Sequence, residues 1–114
     1  MLEVRFRRDS QGRLSSLHAS GHADWAEEDT DVVCAAVAAL LQGAWLGLKE
    51  HAHVDVQAKR SKGELALRWP KAERGRADVE AILATAELAV AQIALQYGDH
   101  VRCSREAETD DDSS

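Results

Sequence analysis

Aromatic residues make up only 4% of this 114-residue chain. A core without rings must be assembled from Ala, Val, Leu and Ile. Cysteine is nearly absent too: Cys34 and Cys103 lie far apart, which excludes a disulfide framework and a paired CxxC metal site. Residues 1–10 are charged and hold no apolar segment, so no secretory signal is expected. The longest nearly uncharged run, residues 32–48, is interrupted by Gln42 and falls short of the roughly 20 strongly apolar residues of a membrane span. A buried helix is the expectation there, with no membrane partner. There is no excess of positive charge. The net charge is -6, and without Glu106, Glu108, Asp110, Asp111 and Asp112 the body holds 14 basic against 15 acidic residues. A body so near neutrality argues against direct nucleic-acid binding, which calls for a clustered basic face. GxGxxG, GxxxxGK[ST] and GxSxG are all missing, which removes dinucleotide, P-loop and serine-hydrolase chemistry. A reduced, cytoplasmic protein is expected.

What is present is enough for one domain with its own core. Leu2, Val4 and Phe6 alternate with charged residues, the period of a half-buried strand. A turn around Gly12 and a second strand over residues 13–19 complete a hairpin. Residues 21–30 read as an acidic loop. Asp31 stands where a helix N-cap belongs, and residues 32–41 carry no polar side chain. A helix apolar on every face is expected to be buried on nearly every face. Val54, Val56 and Ala58 predict a third strand, and Leu65, Leu67 and Trp69 a fourth, stopped by Pro70. Val79, Ile82, Leu83, Ala86, Val90 and Ile93 predict a helix over residues 76–97, capped by Gly98. A second apolar stripe on it, Ala81, Leu88, Ala91 and Leu95, predicts contact with the first helix or with another subunit. A final strand is expected over residues 100–104. The order ββαββαβ predicts an α/β protein of the α+β type. Both helices of this two-layer sandwich would pack on one face of a five-stranded mixed sheet. Residues 1–105 would form the single domain and 106–114 a disordered acidic tail.

Cys34 carries the sharpest chemical signal. Behind an N-cap at Asp31 it falls in the first helical turn, where unpaired backbone N–H groups and the helix dipole favour a thiolate. His22 directly follows Gly21 at the other end of the loop. A loop folding back would bring it to Cys34 as base to nucleophile, with the same N–H groups as an oxyanion hole. Against this, most cysteines in apolar helices are inert small hydrophobes. Asp31 can cap the helix, orient His22, or do both. Asp24, Glu27, Glu28, Asp29 and Asp31 would raise a nearby thiol pKa, though they could also attract a basic peptide. Trp25 either walls an apolar substrate pocket or covers the core. His18 with His22, and His51 with His53, do not share the geometry of a metal site. No metal and no cofactor are expected, and Cys103 reads as a core residue.

Gly21-His22-Ala23, then Asp31-Val32-Val33-Cys34-Ala35-Ala36-Val37 and Ala39-Leu40, resemble the signature of the ribosomal-processing cysteine protease family, Prp. The resemblance covers nearly the whole chain. It implies a homodimeric cysteine endopeptidase with a mobile loop between histidine and cysteine. Its substrate would be the N-terminal extension of a large-subunit ribosomal protein, the one numbered twenty-seven, cut after aromatic residues. Cys34 then matches the family nucleophile, His22 the base and Asp31 the acidic position ahead of the cysteine. Gly21 and Ala38 support the site, and Ala23, Asp24 and Trp25 belong to the substrate loop. The chain departs from the family at Asp29, usually Gly, and at Ala38, usually Ser. Those departures keep open a second reading, a non-catalytic ribosome-assembly or peptide-binding module on the same fold.

Overall fold

A computed structural model of the chain describes residues 1–21 and 32–108. Strands β1 (Leu2–Arg8) and β2 (Leu14–Ser20) form the expected hairpin, and helix α1 follows (Val32–Leu46). Strands β3 (Gln57–Ser61) and β4 (Glu64–Arg68) form a second hairpin, followed by helix α2 (Ala77–Gln96) and strand β5 (Val101–Ala107). The sheet order is β3-β4-β2-β1-β5. Only β1 and β5 pair in parallel, because α2 carries the chain across the sheet between β4 and β5. The ββαββαβ two-layer sandwich is thus the observed architecture.

Alternation in the strands sets the core. Leu2, Val4 and Phe6 of β1, Leu17 and Ala19 of β2, and Leu65 and Leu67 of β4 are buried on the face that meets the helices. Trp69, just past β4, is 1% exposed, and its indole N–H donates to the Leu14 carbonyl at 2.8 Å. A buried ring with its polar edge satisfied is a stable arrangement.

Several expectations need correction. Helix α1 is not buried all round. Cys34, Val37, Leu41 and Ala44 face inward, whereas Val32 is 77% and Leu46 58% exposed. A single helical layer leaves the outward side of each helix bare, whatever its composition. With the π-helical turn that follows it (Gly47–His51), α1 makes a helix long and apolar enough to cross a membrane by length and composition. In this fold the same segment packs on the sheet, and Gly47 lies against Ile82 of α2.

The third strand begins three residues late. Val54 is buried, but in the descent from the helix, its N–H donating to the Leu48 carbonyl at 2.8 Å. All five residues of β3 are exposed, so pairing with β4 and not burial positions this strand. Gly98 is not among the residues with positive φ, and α2 instead ends at Tyr97, whose carbonyl accepts from His100 and Val101. Tyr97 itself is 46% exposed. Leu88 and Leu95 are exposed as well, so the second apolar stripe of α2 does not rest on α1.

The domain boundary expected at residue 105 falls too early. β5 runs to Ala107, Glu106 pairs with Arg7, and Glu108 pairs with Arg68 at 2.8 Å. These acids found basic partners across the sheet, which composition cannot show. Residues 109–114 lie outside the described residues.

Candidate active site

Topology decides which residues meet. β2 ends beside the start of β1, β4 and β5. The Arg76 guanidinium, just before α2, donates to the Ala52 carbonyl, just after α1, at 2.9 Å. The end of α1 therefore lies with the start of α2. The two helices run in opposite directions across the sheet. Five residues after Ala52 the chain enters β3 at Gln57, the sheet end away from Gly21. Helix α1 must accordingly start at the Gly21 end, and with its π-helical turn it is about 30 Å long, enough to cross the sheet.

Two glycines build that end. Gly21 has φ +141°, and a Cβ on it would sit 2.5 Å from the Met1 carbonyl oxygen and 2.8 Å from the Leu2 Cα. No other residue fits, because the close atoms are backbone. Its N–H donates to the Gly63 carbonyl at 3.1 Å, tying the exit of β2 to the β3–β4 turn. Gly63, at φ +78°, would bring a Cβ within 3.0 Å of the Gly21 oxygen.

Cys34 is the third residue of α1 and is 7% exposed. Its side chain joins the core cluster, with Val33 packed partly against it. Ala38 lies one turn further on and is half-buried. Around the thiol, Val32, Ala35 and Ala36 are exposed, so an apolar surface adjoins the site. The first turn of a helix presents backbone N–H groups and the positive end of the dipole, which are suited to a thiolate or a developing oxyanion. Cys34 and Cys103 are both free of disulfides. Cys103 is half-buried on the helix-facing side of β5, and burial pushes its thiol pKa up.

His22, Ala23, Asp24, Trp25, Asp29 and Asp31 lie outside the described residues. Of the predicted site, the structure therefore places Gly21, Cys34 and Ala38, with Gly21 and Cys34 at the same end of the sheet. The α2–β5 turn also carries Tyr97 and His100 to that end of the sheet. Both are remote in sequence from Cys34, and only the parallel pairing of β5 with β1 brings them there. His18 points away from this site, on the helix-free face of the sheet, with its Nε2 2.6 Å from Glu64 Oε2. Among the described residues no group of three or more His, Cys, Asp or Glu could hold a metal.

A disulfide-free cysteine in the first turn of a helix, at the glycine-built end of an α/β sandwich, is an arrangement that suits a thiol nucleophile. The family model described as cysteine protease Prp matches residues 1–102, and the chain belongs to that family. It is thus a cysteine protease by family.

Among solved structures, the fold is similar to a ribosomal processing protease Prp from S. aureus in complex with a covalently linked product peptide. The TM-score is 0.81 at 21% identity, covering 92% of this chain and 99% of that one. It is similar to SMU.848 from Streptococcus mutans, with a TM-score of 0.82 at 22% identity over 95% and 96% of the two chains. The S. aureus protease in complex with a substrate peptide gives 0.79 at 20% identity, over 92% and 99%. No curated protein matches the chain in sequence.

Proposed function

We propose that the chain is a cysteine endopeptidase in which Cys34 is the nucleophile and His22 its general base. The observation that carries this reading is the family match over residues 1–102, with Cys34 in the first turn of α1. His22 takes the thiol proton and the thiolate attacks the scissile carbonyl. The tetrahedral oxyanion rests on first-turn N–H groups. His22 then protonates the leaving amine and activates the water that frees the acyl-enzyme. Gly21 sets the direction in which His22 leaves β2, and Asp31 orients it. Ala23, Asp24 and Trp25 bound the substrate. The apolar surface at Val32, Ala35 and Ala36 suits an aromatic or aliphatic side chain beside the cleaved bond.

The substrate of this reading is the N-terminal extension of large-subunit ribosomal protein twenty-seven, removed in the cytoplasm during ribosome maturation. The S. aureus relative is a ribosomal processing protease seen in complex with substrate and product peptides, which supports a peptide substrate here. The enzyme works as a homodimer without cofactor. The exposed Leu88 and Leu95 of α2 and Leu46 of α1 are apolar surface that a second copy would cover. A Leu88→Glu variant that runs as a monomer where wild type runs as a dimer in light scattering supports this. A wild-type monomer refutes it.

Cleavage of a peptide spanning the N-terminus of the host's own ribosomal protein, by wild type and not by Cys34→Ala, is the deciding experiment. Equal cleavage by both would end the proposal. The burial of Cys34, together with Ala38 in place of the family serine, favours the second reading, a peptide-binding module without catalysis. Alkylation separates the two. A catalytic Cys34 reacts near neutral pH faster than Cys103, and His22→Ala slows it. Equally sluggish thiols indicate the binding module.

A further inference from the structure

The two helices cover one face of the sheet, and among the described residues the other face carries no helix. Side chains on the open face form rows across the strands. One row runs Arg7, Ser16, Arg68, Gln57, and the row beside it Arg5, His18, Ala66, Lys59. Ala66 is the one short apolar side chain among long ones, and the surface sinks over it. The depression is walled by Arg7, Arg68, Lys59, His18, Ser16 and Gln57.

The chain already seats two carboxylates at one margin of this depression. Glu106 and Glu108 are two residues apart and reach the same face, as alternate residues of a strand do. Glu106 pairs with Arg7 at 3.3 Å. Glu108 takes both Arg68 guanidinium nitrogens, at 2.8 and 3.3 Å, and the Ser16 hydroxyl at 3.1 Å. On the opposite margin Lys59 makes no ion pair or side-chain hydrogen bond among the described residues. Lys59 stands on β3, the outermost strand, all of whose residues are exposed. One edge of that strand is therefore open to a further strand.

We propose that this depression and the β3 edge bind an extended acidic peptide with carboxylates at alternate positions. Main-chain pairing along β3 would supply affinity, and alternate acidic side chains would reach inward over the open face to Lys59 and, one strand further in, to Arg68. Arg7 and Arg68 already accept carboxylates at this spacing from Glu106 and Glu108 of the chain itself. No aromatic ring of the described strands faces this side, so the surface lacks the stacking platform a nucleic-acid strand would use. Glu64 and Glu108 bound the depression and limit how many carboxylates it takes. Because Glu108 draws off the Arg68 charge, it weakens the site that it borders.

The test is fluorescence anisotropy at low salt with a short labelled peptide alternating glutamate and threonine. Wild type is expected to bind it. Lys59→Gln should weaken binding about tenfold, and Lys49→Gln, exposed in the π-helical turn far from this face, should leave it unchanged. Glu108→Gln should tighten binding several-fold by freeing Arg68. Cys34→Ala should bind like wild type, because the thiol serves the other face. Circular dichroism checks that each variant is folded. Equal losses in Lys59→Gln and Lys49→Gln would overturn the proposal. So would tighter binding of a single-stranded oligothymidylate of the same charge, or no binding by either wild type or Glu108→Gln.

Discussion

At one end of the sheet, a buried ion-pair cluster joins the β1–β2 turn to the segment before α2. At the other, Gly21 and Gly63 hold two turns together through bare backbone. In the first cluster the Asp9 carboxylate accepts from the backbone N–H groups of Gln11 and Arg13, at 2.9 and 3.0 Å. It also accepts from the guanidinium groups of Arg13 and Arg74, at 3.1 and 3.2 Å. The Asp9 and Arg74 side chains are fully buried. Arg74 further donates twice to the Trp69 carbonyl, fastening the backbone just past β4. Such a cluster is rigid because every member has several partners, and it tolerates no loss of one. Among the described residues the glycine end has no comparable side-chain network, and backbone approaches backbone there. The ion-pair cluster lies at one end of the sheet and the proposed nucleophile at the other.

The largest expected effect is at the chemical end. Cys34→Ala should lower kcat/KM by about a thousandfold or more, since the nucleophile is lost. Its unfolding midpoint should stay near wild type. The mirror of that result is Arg74→Ala. It leaves Asp9 buried without one of its cations and should destabilise the fold by roughly 3 kcal/mol, read by urea denaturation. The folded fraction should keep full activity. A large loss of specific activity would show that the two ends are coupled.

Gly21→Ala tests the boundary between the two roles. Backbone clash and a strained φ should cost about 2 kcal/mol in stability. The variant should also lose activity beyond that, because the exit path toward His22 shifts. Gly12→Ala is the control. Gly12 also has positive φ, but a Cβ there meets nothing within 4 Å, so only about 1 kcal/mol is expected and activity should hold.

The smallest effect is a pH dependence. Burial pushes the Asp9 carboxyl up, but the hydrogen bonds from Arg13, Gln11 and Arg74 outweigh it and bring its pKa to about 2. A carboxyl depressed in the fold adds stability that is fully present above its unfolded value, near 4, and is lost as pH falls toward 2. The expected loss over that interval is roughly 2 kcal/mol. Asp9→Asn should start less stable and show a flatter acid limb in denaturation. An unchanged limb would remove Asp9 from the account.

How much could be read before any coordinates existed follows the same division. Alternation in Leu2, Val4 and Phe6 and the stripe from Val79 to Val90 needed only local periodicity, and the strands and helices they mark are present. Val54 and Val56 carried the same alternation yet lie outside β3. Burial satisfied them in a turn, and period alone cannot distinguish the two. Trp69 looked like a strand residue and proved to be a core ring just past β4, held by the Leu14 carbonyl. The cluster at Asp9 left no mark at all, because Arg74 is 65 residues away and reads as one more surface charge.

By itself, the amino-acid order determined the ββαββαβ sequence of elements, the position of Cys34 in a helix's first turn, and membership in a cysteine protease family. These rest on periodicity and on short motifs, which are local. The tertiary structure alone decided that Gly21, Cys34 and His100 share one end of the sheet and that α1 keeps a bare apolar side. It also decided that Glu106 and Glu108 belong to the sheet and not to a tail. Each of those depends on strand order and on contacts between residues remote in sequence, and no spacing along the chain encodes them.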